Sequence, residues 1–249
     1  MIYMLPRDKD KGKATEMAEK LTTIGFDADD TLWHNEQIFR LTQDKFAELL
    51  SDYVAKDHLH EKLLEAERRN LGHYGFGVKG FVLSMIETAI DVSEDRVPAR
   101  IIRKLIDAGQ EMLTHPIQLL PYVREVIVDL SDKFQLILIT KGDLLDQERK
   151  LAQSGLGDFF QGIEIVSNKT SDVYTQIFSH YGHDAKQAMM VGNSLRSDIL
   201  PAIKAGSWGV YVPHDLTWEL EQDEAPQSHP KYHTLKNLGG LQKLLKDLC

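Results

Sequence analysis

Two carboxylates separated by one residue follow a short apolar segment near the start of the chain. The segment spans residues 23–26, and Asp27 and Asp29 come directly after it, with the hydroxyl of Thr31 two positions further on. An apolar run of this length predicts a buried strand, and on a straight strand residues two apart point to the same side. Two carboxylates on one side repel each other unless a cation lies between them, and carboxylate oxygens suit Mg²⁺. The alternative is an aspartate-rich turn that caps the next helix.

Polar residues also follow three later segments that have the composition of buried strands. Thr140 ends the first segment, Lys169 lies shortly after the second, and the third is followed by Asn193 and Asp198. A hydroxyl beside free backbone N–H groups can hold a phosphate, a lysine can neutralise a transferring phosphoryl group, and Asn and Asp offer oxygen ligands. Each residue also has an ordinary alternative role: a β-branched strand end, a solvated lysine or a helix N-cap.

The order of these residues resembles the four motifs of the haloacid dehalogenase-like hydrolase superfamily, whose members are mostly phosphatases. The resemblance covers about residues 23–212. It implies that Asp27 is the nucleophile, which forms an aspartyl-phosphate, and that Asp29 is the general acid and base. It also implies that Thr140 and Lys169 hold the phosphoryl group.

The same resemblance implies a Mg²⁺ site made by Asp27, the backbone carbonyl of Asp29, Asn193 and Asp198. The first polar residue of the fourth motif is often Asp in the superfamily, and Asn193 stands there in this chain. A neutral amide gives up one unit of charge attraction for the cation. We therefore expect Mg²⁺ to bind less tightly than in a site with Asp at this position, and the type of reaction to be unchanged.

Candidate substrate contacts lie beside the motifs and in a glycine-rich segment, residues 71–80. Such a segment predicts a mobile loop with contact side chains or a plain connection between helices. Trp33 and His34 directly follow the first motif and are equally consistent with packing at a hinge. The candidates are Thr31, Trp33, His34, His73, Tyr74, Phe76, Lys79, Lys141 and Gly142.

A block of helical patterns interrupts the motifs and predicts a helical domain inserted into an α/β fold. Between residues 34 and 115, four successive segments carry apolar residues at the spacing of a helix. This block resembles the C1 type of cap in the superfamily. Beyond this block strands and helices alternate, which predicts a doubly wound parallel sheet of the Rossmann-like kind. We expect residues 21–33 and 116–249 to form the core, residues 34–115 a helical cap domain, and residues 1–20 a mobile tail.

Four finer predictions concern the core. Pro121 suits the first position of a helix, and a helix is expected from Leu195 to Ala205. Residues 215–229 are polar and acidic, so they predict a surface loop. Residues 235–248 predict a last amphipathic helix.

Composition limits the classes of partner. The 249 residues include 29 Lys and Arg against 38 Asp and Glu, a net charge of −9, which disfavours nucleic acid as a partner. No apolar run approaches membrane-spanning length, no signal peptide is visible, and the single cysteine, Cys249, cannot form a disulfide within the chain. We expect a cytoplasmic monomer or small homo-oligomer, and Met17 is a candidate for the physiological start.

The leading functional prediction is a Mg²⁺-dependent phosphomonoester hydrolase that acts on a small phosphorylated metabolite. The alternatives are a phosphomutase of the β-phosphoglucomutase kind, a 2-haloacid dehalogenase and a non-catalytic binding module. Dehalogenase branches of the superfamily lack the second carboxylate of the first motif, which is Asp29 in this chain. The presence of every expected catalytic residue argues against an inactive module.

Overall fold

A single parallel sheet forms the centre of the molecule. The structure is a computed structural model that describes residues 20–182 and 184–248. The predictions for the tail, Met17 and Cys249 lie outside these residues. Within them, six parallel strands form one sheet in the order β3-β2-β1-β4-β5-β6, which confirms the predicted fold class. The strands are β1 (Thr23–Phe26), β2 (Gln135–Lys141), β3 (Gly162–Val166), β4 (Ala188–Gly192), β5 (Trp208–Tyr211) and β6 (Tyr232–Thr234).

The central strand, β1, determines where the predicted motif residues meet. Phe26, its last residue, lies beside Leu138 of β2 and Val191 of β4. Because the three strands are parallel and in close register, the residues that follow them reach the same edge of the sheet. Ile24 and Phe26 are fully buried, so apolar packing holds this edge in place.

Helices cover both faces of the sheet. One apolar cluster includes residues of α5, α6 and α9, and another includes residues of α7 and α8. Side chains of β2 alternate between the clusters, Leu138 in the first and Ile139 in the second, as the pleat of a strand requires. These helices are α5 (Val123–Ser131), α6 (Leu144–Ser154), α7 (Ser171–Tyr181), α8 (Leu200–Lys204) and α9 (Leu241–Leu248).

Several predicted boundaries in the core were wrong. The helix expected at Pro121 begins two residues later, because Tyr122 has a left-handed backbone conformation with φ of 68°. The segment predicted as a last helix contains that helix only from Leu241 onward. The strand β6 was missed because its three residues are too few to show a period.

Four helices lie between β1 and α5, and we call them the helical insert. They surround an apolar cluster of their own, which includes Phe46, Leu63 and Met85. The glycine-rich segment 71–80 is mostly helical, and only residues 75–77 connect the two helices. This agrees with the alternative of a plain connection between helices and not with a loop across the whole segment. The helices are α1 (Glu36–Leu49), α2 (Lys56–Tyr74), α3 (Val78–Val92) and α4 (Ala99–Thr114). No helix within the described residues is long and apolar enough to cross a membrane.

Candidate active site

The carboxyl edge of the sheet and the helical insert enclose a cavity. The turns after β1, β2 and β4 bring the predicted motif residues to it, together with the loop after β3. The predicted catalytic and metal-binding residues all line this cavity, and so do the two substrate contacts predicted directly after Thr140. They are Asp27, Asp29, Thr140, Lys169, Asn193 and Asp198, with Lys141 and Gly142.

Lys169 links two carboxylates at the floor of the cavity. Its ammonium group lies 2.5 Å from Asp27 Oδ1 and 2.7 Å from Asp198 Oδ1, and its side chain is 1% exposed. Burial favours the neutral amine, but Asp198 and Asp27 outweigh it and raise the pKa of Lys169 above its usual value. Lys169 is therefore charged at neutral pH.

Asp27 is a carboxylate in a strongly desolvated place. Burial, together with the Asp198 carboxylate, raises the pKa of Asp27 to about 7, while Lys169 acts in the opposite direction. The Thr31 hydroxyl donates a hydrogen bond to Asp27 Oδ2 at 3.0 Å. Thr31 is buried and does not line the cavity, so the structure does not place it where it was predicted, in contact with substrate.

The residues present fit a Mg²⁺ ion. Asp27 Oδ2 and the backbone carbonyl oxygen of Asp29 both lie 3.2 Å from the same terminal atom of the Asn193 side-chain amide, so these oxygens converge on one point. The amide turns its nitrogen to them as a hydrogen-bond donor, and the opposite orientation would present its oxygen to a cation there. Asp198 stands beside them, held through Lys169 and through the backbone N–H of Ser194, which donates to Asp198 Oδ2 at 2.9 Å. Carboxylate, carbonyl and amide oxygens are the donor set that Mg²⁺ prefers.

The helix predicted to start at Leu195 begins as a π-helical turn, Leu195–Ile199, and becomes α-helical only at α8. Ser194 caps this turn, because its hydroxyl accepts a hydrogen bond from the backbone N–H of Ser197 at 2.9 Å. The alternative of an N-cap role for Asn193 is therefore wrong. The wide turn carries Asp198 into the cavity, and single π turns are frequent at functional sites.

Asp29 is held by three side chains. Lys150 donates to both of its carboxylate oxygens, at 3.0 and 3.1 Å, Gln147 donates at 3.2 Å, and the Trp33 indole donates at 2.7 Å. Gln147 also donates to the Thr140 hydroxyl at 2.6 Å. The sequence analysis missed Gln147 and Lys150, although long polar side chains among the buried positions of α6 were a usable signal.

Lys141 lies between the sheet edge and the helical insert. Its ammonium group is 2.5 Å from Glu221 Oε1 and 2.7 Å from the Ser197 hydroxyl. It also stands 3.8 Å from the centre of the Phe76 ring, a cation–π contact. Burial lowers the pKa of Lys141, although Glu221 acts in the opposite direction.

The loop after β5 contributes one wall of the cavity. Leu216, Thr217, Trp218 and Glu221 line it, and the Trp218 ring packs edge-on against Phe76. The expectation of a plain surface loop across residues 215–229 was therefore wrong for its first part. Polarity alone did not distinguish side chains that face the cavity from those that face solvent.

Most substrate contacts predicted from the helical insert and its entry lie elsewhere. Trp33 is fully buried in the core, Tyr74 is 43% exposed and donates to Glu87, and the Lys79 side chain is 62% exposed beside Asp143. None of the three lines the cavity: Trp33 packs into the core, and the helices α2 and α3 turn Tyr74 and Lys79 away from the cavity. Phe76 is the contact candidate of the glycine-rich segment that does line it.

Two histidines from the predictions also lie away from the cavity lining. His73 is exposed, and His34 packs edge-on against His214, with ring centres 5.7 Å apart. Burial and the neighbouring His214 lower the pKa of His34.

The geometry agrees with a family assignment from sequence comparison. Residues 21–206, three quarters of the chain, match the profile of haloacid dehalogenase-like hydrolases. The chain belongs to this hydrolase family. A haloacid dehalogenase-like hydrolase from Xanthomonas campestris is 37% identical in sequence and superposes with a TM-score of 0.83, with 94% of each chain covered.

Two further relatives are more distant. The putative hydrolase YfnB from Bacillus subtilis, whose structure contains magnesium, is 19% identical with a TM-score of 0.66, over 91% of this hydrolase and 99% of that chain. The glyceraldehyde 3-phosphate phosphatase of Methanothermobacter thermautotrophicus is 26% identical over 131 residues, 50% of this chain. The match spans 58% of that phosphatase.

Proposed function

We propose that the protein is a Mg²⁺-dependent phosphomonoester hydrolase that acts on a small phosphorylated metabolite through an aspartyl-phosphate. The observation that carries this proposal is the placement of Asp27 beside Lys169 on the floor of a cavity that Asp29 also lines. A nucleophilic carboxylate, a fixed cation and a second carboxyl group are what stepwise phosphoryl transfer needs. The named phosphatase from Methanothermobacter supports the same class of reaction.

Asp27 would attack phosphorus, and the ester oxygen would leave from the opposite side. Lys169 would neutralise the charge on the phosphoryl oxygens, because it is buried and charged at the same place. Thr140 and the backbone after it, which includes Gly142, would position those oxygens. Lys141 would add a second cation at the wall of the cavity.

Asp29 would protonate the leaving oxygen and later take a proton from the water that hydrolyses the aspartyl-phosphate. Lys150, Gln147 and Trp33 hold its carboxylate in the cavity, and we assign them as positioning residues. The same carboxylate favours a phosphatase over a dehalogenase, whose chemistry does not use a second acid at this position.

Asp27, Asp198, Asn193 and the backbone carbonyl of Asp29 would hold Mg²⁺. When bound, the ion would supply charge neutralisation and orientation for the phosphoryl group. The magnesium in the YfnB structure supports Mg²⁺ as the ion.

Turnover of an aryl phosphate with and without Mg²⁺ tests the proposal, with mass spectrometry of the acid-quenched enzyme to detect a phosphorylated peptide that contains Asp27. Asp27→Asn should abolish both turnover and labelling. Asp143→Asn is the matched control, since Asp143 also lines the cavity but contacts Lys79. Near-normal activity of Asp27→Asn would show that the nucleophile is assigned wrongly.

The physiological reaction requires a second test. Purified enzyme is screened against a panel of phosphorylated metabolites, and both free phosphate and the organic product are measured. Stoichiometric free phosphate supports the hydrolase, whereas an isomeric phosphate ester with little free phosphate would identify a phosphomutase.

A further inference from the structure

A second cluster of metal-binding side chains lies next to the catalytic carboxylates and is separate from them. Asp30, His34 and His214 each present one ligand atom, and these atoms all lie within 4.8 Å of one another. His34 and His214 do not line the cavity. We call these three residues the histidine cluster.

The spacing in the cluster fits a shared ion better than a direct hydrogen bond. His214 Nε2 is 3.5 Å from Asp30 Oδ1, which is beyond ordinary hydrogen-bond length. Two ligands on the edge of a tetrahedron around a zinc-sized ion lie roughly 3.3 Å apart when each bond is about 2.0–2.1 Å. The 3.5 Å separation is therefore close to that of two ligands of one ion.

The surrounding contacts already orient two of the three ligands. His214 Nδ1 lies 2.8 Å from the carbonyl oxygen of Leu216, and the tautomer with its proton on Nδ1 donates there and leaves the Nε2 lone pair free. Metal-binding histidines are commonly oriented in this way. The Asp30 carboxylate accepts hydrogen bonds from the backbone N–H groups of Asn35 and Glu36. The shortest contact with each donor is 2.9 Å.

The chemistry of the donor set distinguishes this cluster from the Mg²⁺ ligands. Two imidazole nitrogens and one carboxylate suit zinc and similar divalent transition metals, whereas Mg²⁺ prefers oxygen donors. The cluster is partly exposed, with the His214 side chain 11% exposed, so an ion from solvent can reach it and water can complete its coordination.

We propose that Asp30, His34 and His214 bind one divalent transition metal ion of the zinc class. The ion would join the segment that enters the helical insert, which carries His34, to the loop after β5, which carries His214. That loop also supplies Trp218 and Glu221 to the cavity wall. The proposal does not depend on phosphatase activity, because it concerns a different set of donor atoms.

Calorimetric titration with Zn²⁺ tests the site. The full-length protein is first stripped of bound metal and then kept in a large excess of Mg²⁺. We expect one Zn²⁺ per chain, with affinity reduced by more than about 100-fold in both His34→Ala and His214→Ala, since a ligand matters at least as much as an outer contact. His73→Ala is the matched control for an exposed histidine and should bind like the wild type. Asp198→Asn should also retain the site.

Absence of Zn²⁺ binding in excess Mg²⁺ would overturn the proposal, as would unchanged affinity in either histidine variant or loss of the site in Asp198→Asn. X-ray absorption of the zinc-loaded wild type provides a test that does not depend on the variants folding. Two imidazole ligands at about 2.0–2.1 Å are expected. A shell of oxygen ligands alone would refute the assignment.

Discussion

Two lysines that line the same cavity hold their charge under different conditions. Lys169 lies between Asp27 and Asp198, and these two carboxylates raise its pKa despite burial. The Lys141 side chain is also largely buried, but its carboxylate partner is Glu221, and burial lowers its pKa. Desolvation of an ammonium group is outweighed by two buried carboxylates in the first case and only partly offset in the second.

The difference follows from where the partners come from. Both partners of Lys169 follow central strands of the sheet, so the sheet core keeps them in place. Lys141 depends on Glu221, from the loop after β5, and on Phe76, from the helical insert. Lys169 on the floor of the cavity therefore keeps its charge to a higher pH than Lys141 does, whereas the charge of Lys141 at the wall depends on how the loop and the insert pack.

Replacement of Lys169 by Met should have the largest effect, a loss in kcat/KM of about 10³-fold or more. The change removes the cation proposed for the phosphoryl group and leaves Asp27 and Asp198 facing each other. Initial rates with an aryl phosphate at saturating Mg²⁺ measure the loss, and circular dichroism checks the fold. Lys133→Met, which removes a surface ion pair with Asp129, should be close to wild type. Comparable activity in the two variants would contradict the role of Lys169.

Glu67, on the insert side of the cavity, is a second buried carboxyl group whose pKa is raised, as the pKa of Asp27 is. Burial and the neighbouring Glu36 raise the pKa of Glu67 from 4.5 to about 7. Because the folded-state pKa exceeds the unfolded value, Glu67 favours folding below pH 4.5 and loses this contribution as pH rises through about 7.

Glu67→Gln should therefore remove a pH-dependent destabilisation. Relative to wild type, it should raise the free energy of unfolding at pH 8 by about 2 kcal/mol more than at pH 5. Urea unfolding at the two pH values measures this. Glu61→Gln, an exposed change in the same helix, is the control, and equal pH dependence of the two variants would rule out the buried-acid explanation.

The contrast between the two lysines predicts different responses to alkaline pH. Lys141→Met should raise KM about 30-fold, equivalent to roughly 2 kcal/mol for a lost charged contact. Because its pKa is lowered, Lys141 loses its charge at a lower pH than Lys169 does, and wild-type kcat/KM should decline accordingly. Lys141→Arg, whose charge persists, should move that decline to higher pH. A pH profile identical to wild type would mean that another group causes the decline.

The smallest expected effect concerns the neutral ligand at the cavity floor. Asn193→Asp should lower the Mg²⁺ concentration for half-maximal activity about tenfold, because the new carboxylate adds about 1.4 kcal/mol of attraction. Its turnover should fall, since added negative charge opposes the incoming phosphate. Activity is titrated with Mg²⁺ for both proteins. An unchanged or increased Mg²⁺ requirement would place Asn193 outside the metal shell.

The floor of the cavity was predictable because its residues follow strands. Asp27, Thr140 and Asn193 lie at or directly after the ends of β1, β2 and β4, and parallel strands bring their carboxyl ends to one edge. Lys169 and Asp198 come a few residues later, but their order along the chain resembled the motifs of the hydrolase family. The fold class was predicted from the alternation of strands and helices in the chain beyond the helical insert.

The wall of the cavity was not predictable in the same way. Trp33 was a plausible substrate contact, yet its indole donates to Asp29 from inside the core. Tyr74 and Lys79 were plausible members of a loop, yet both belong to helices whose turn directs them to solvent. Glu221 lay in a segment whose polarity indicated only a surface position.

The sequence by itself determined which residues the strands bring to the cavity. Short apolar runs that end in Asp, Thr or Asn encode both the strand and the residue at its end. Tertiary structure alone decided which side chains hold Asp29 and Lys141. Lys150 is 121 positions from Asp29, and Glu221 is 80 positions from Lys141. Contacts at such separations depend on how helices and loops pack onto the sheet, and no local period in the sequence records that packing.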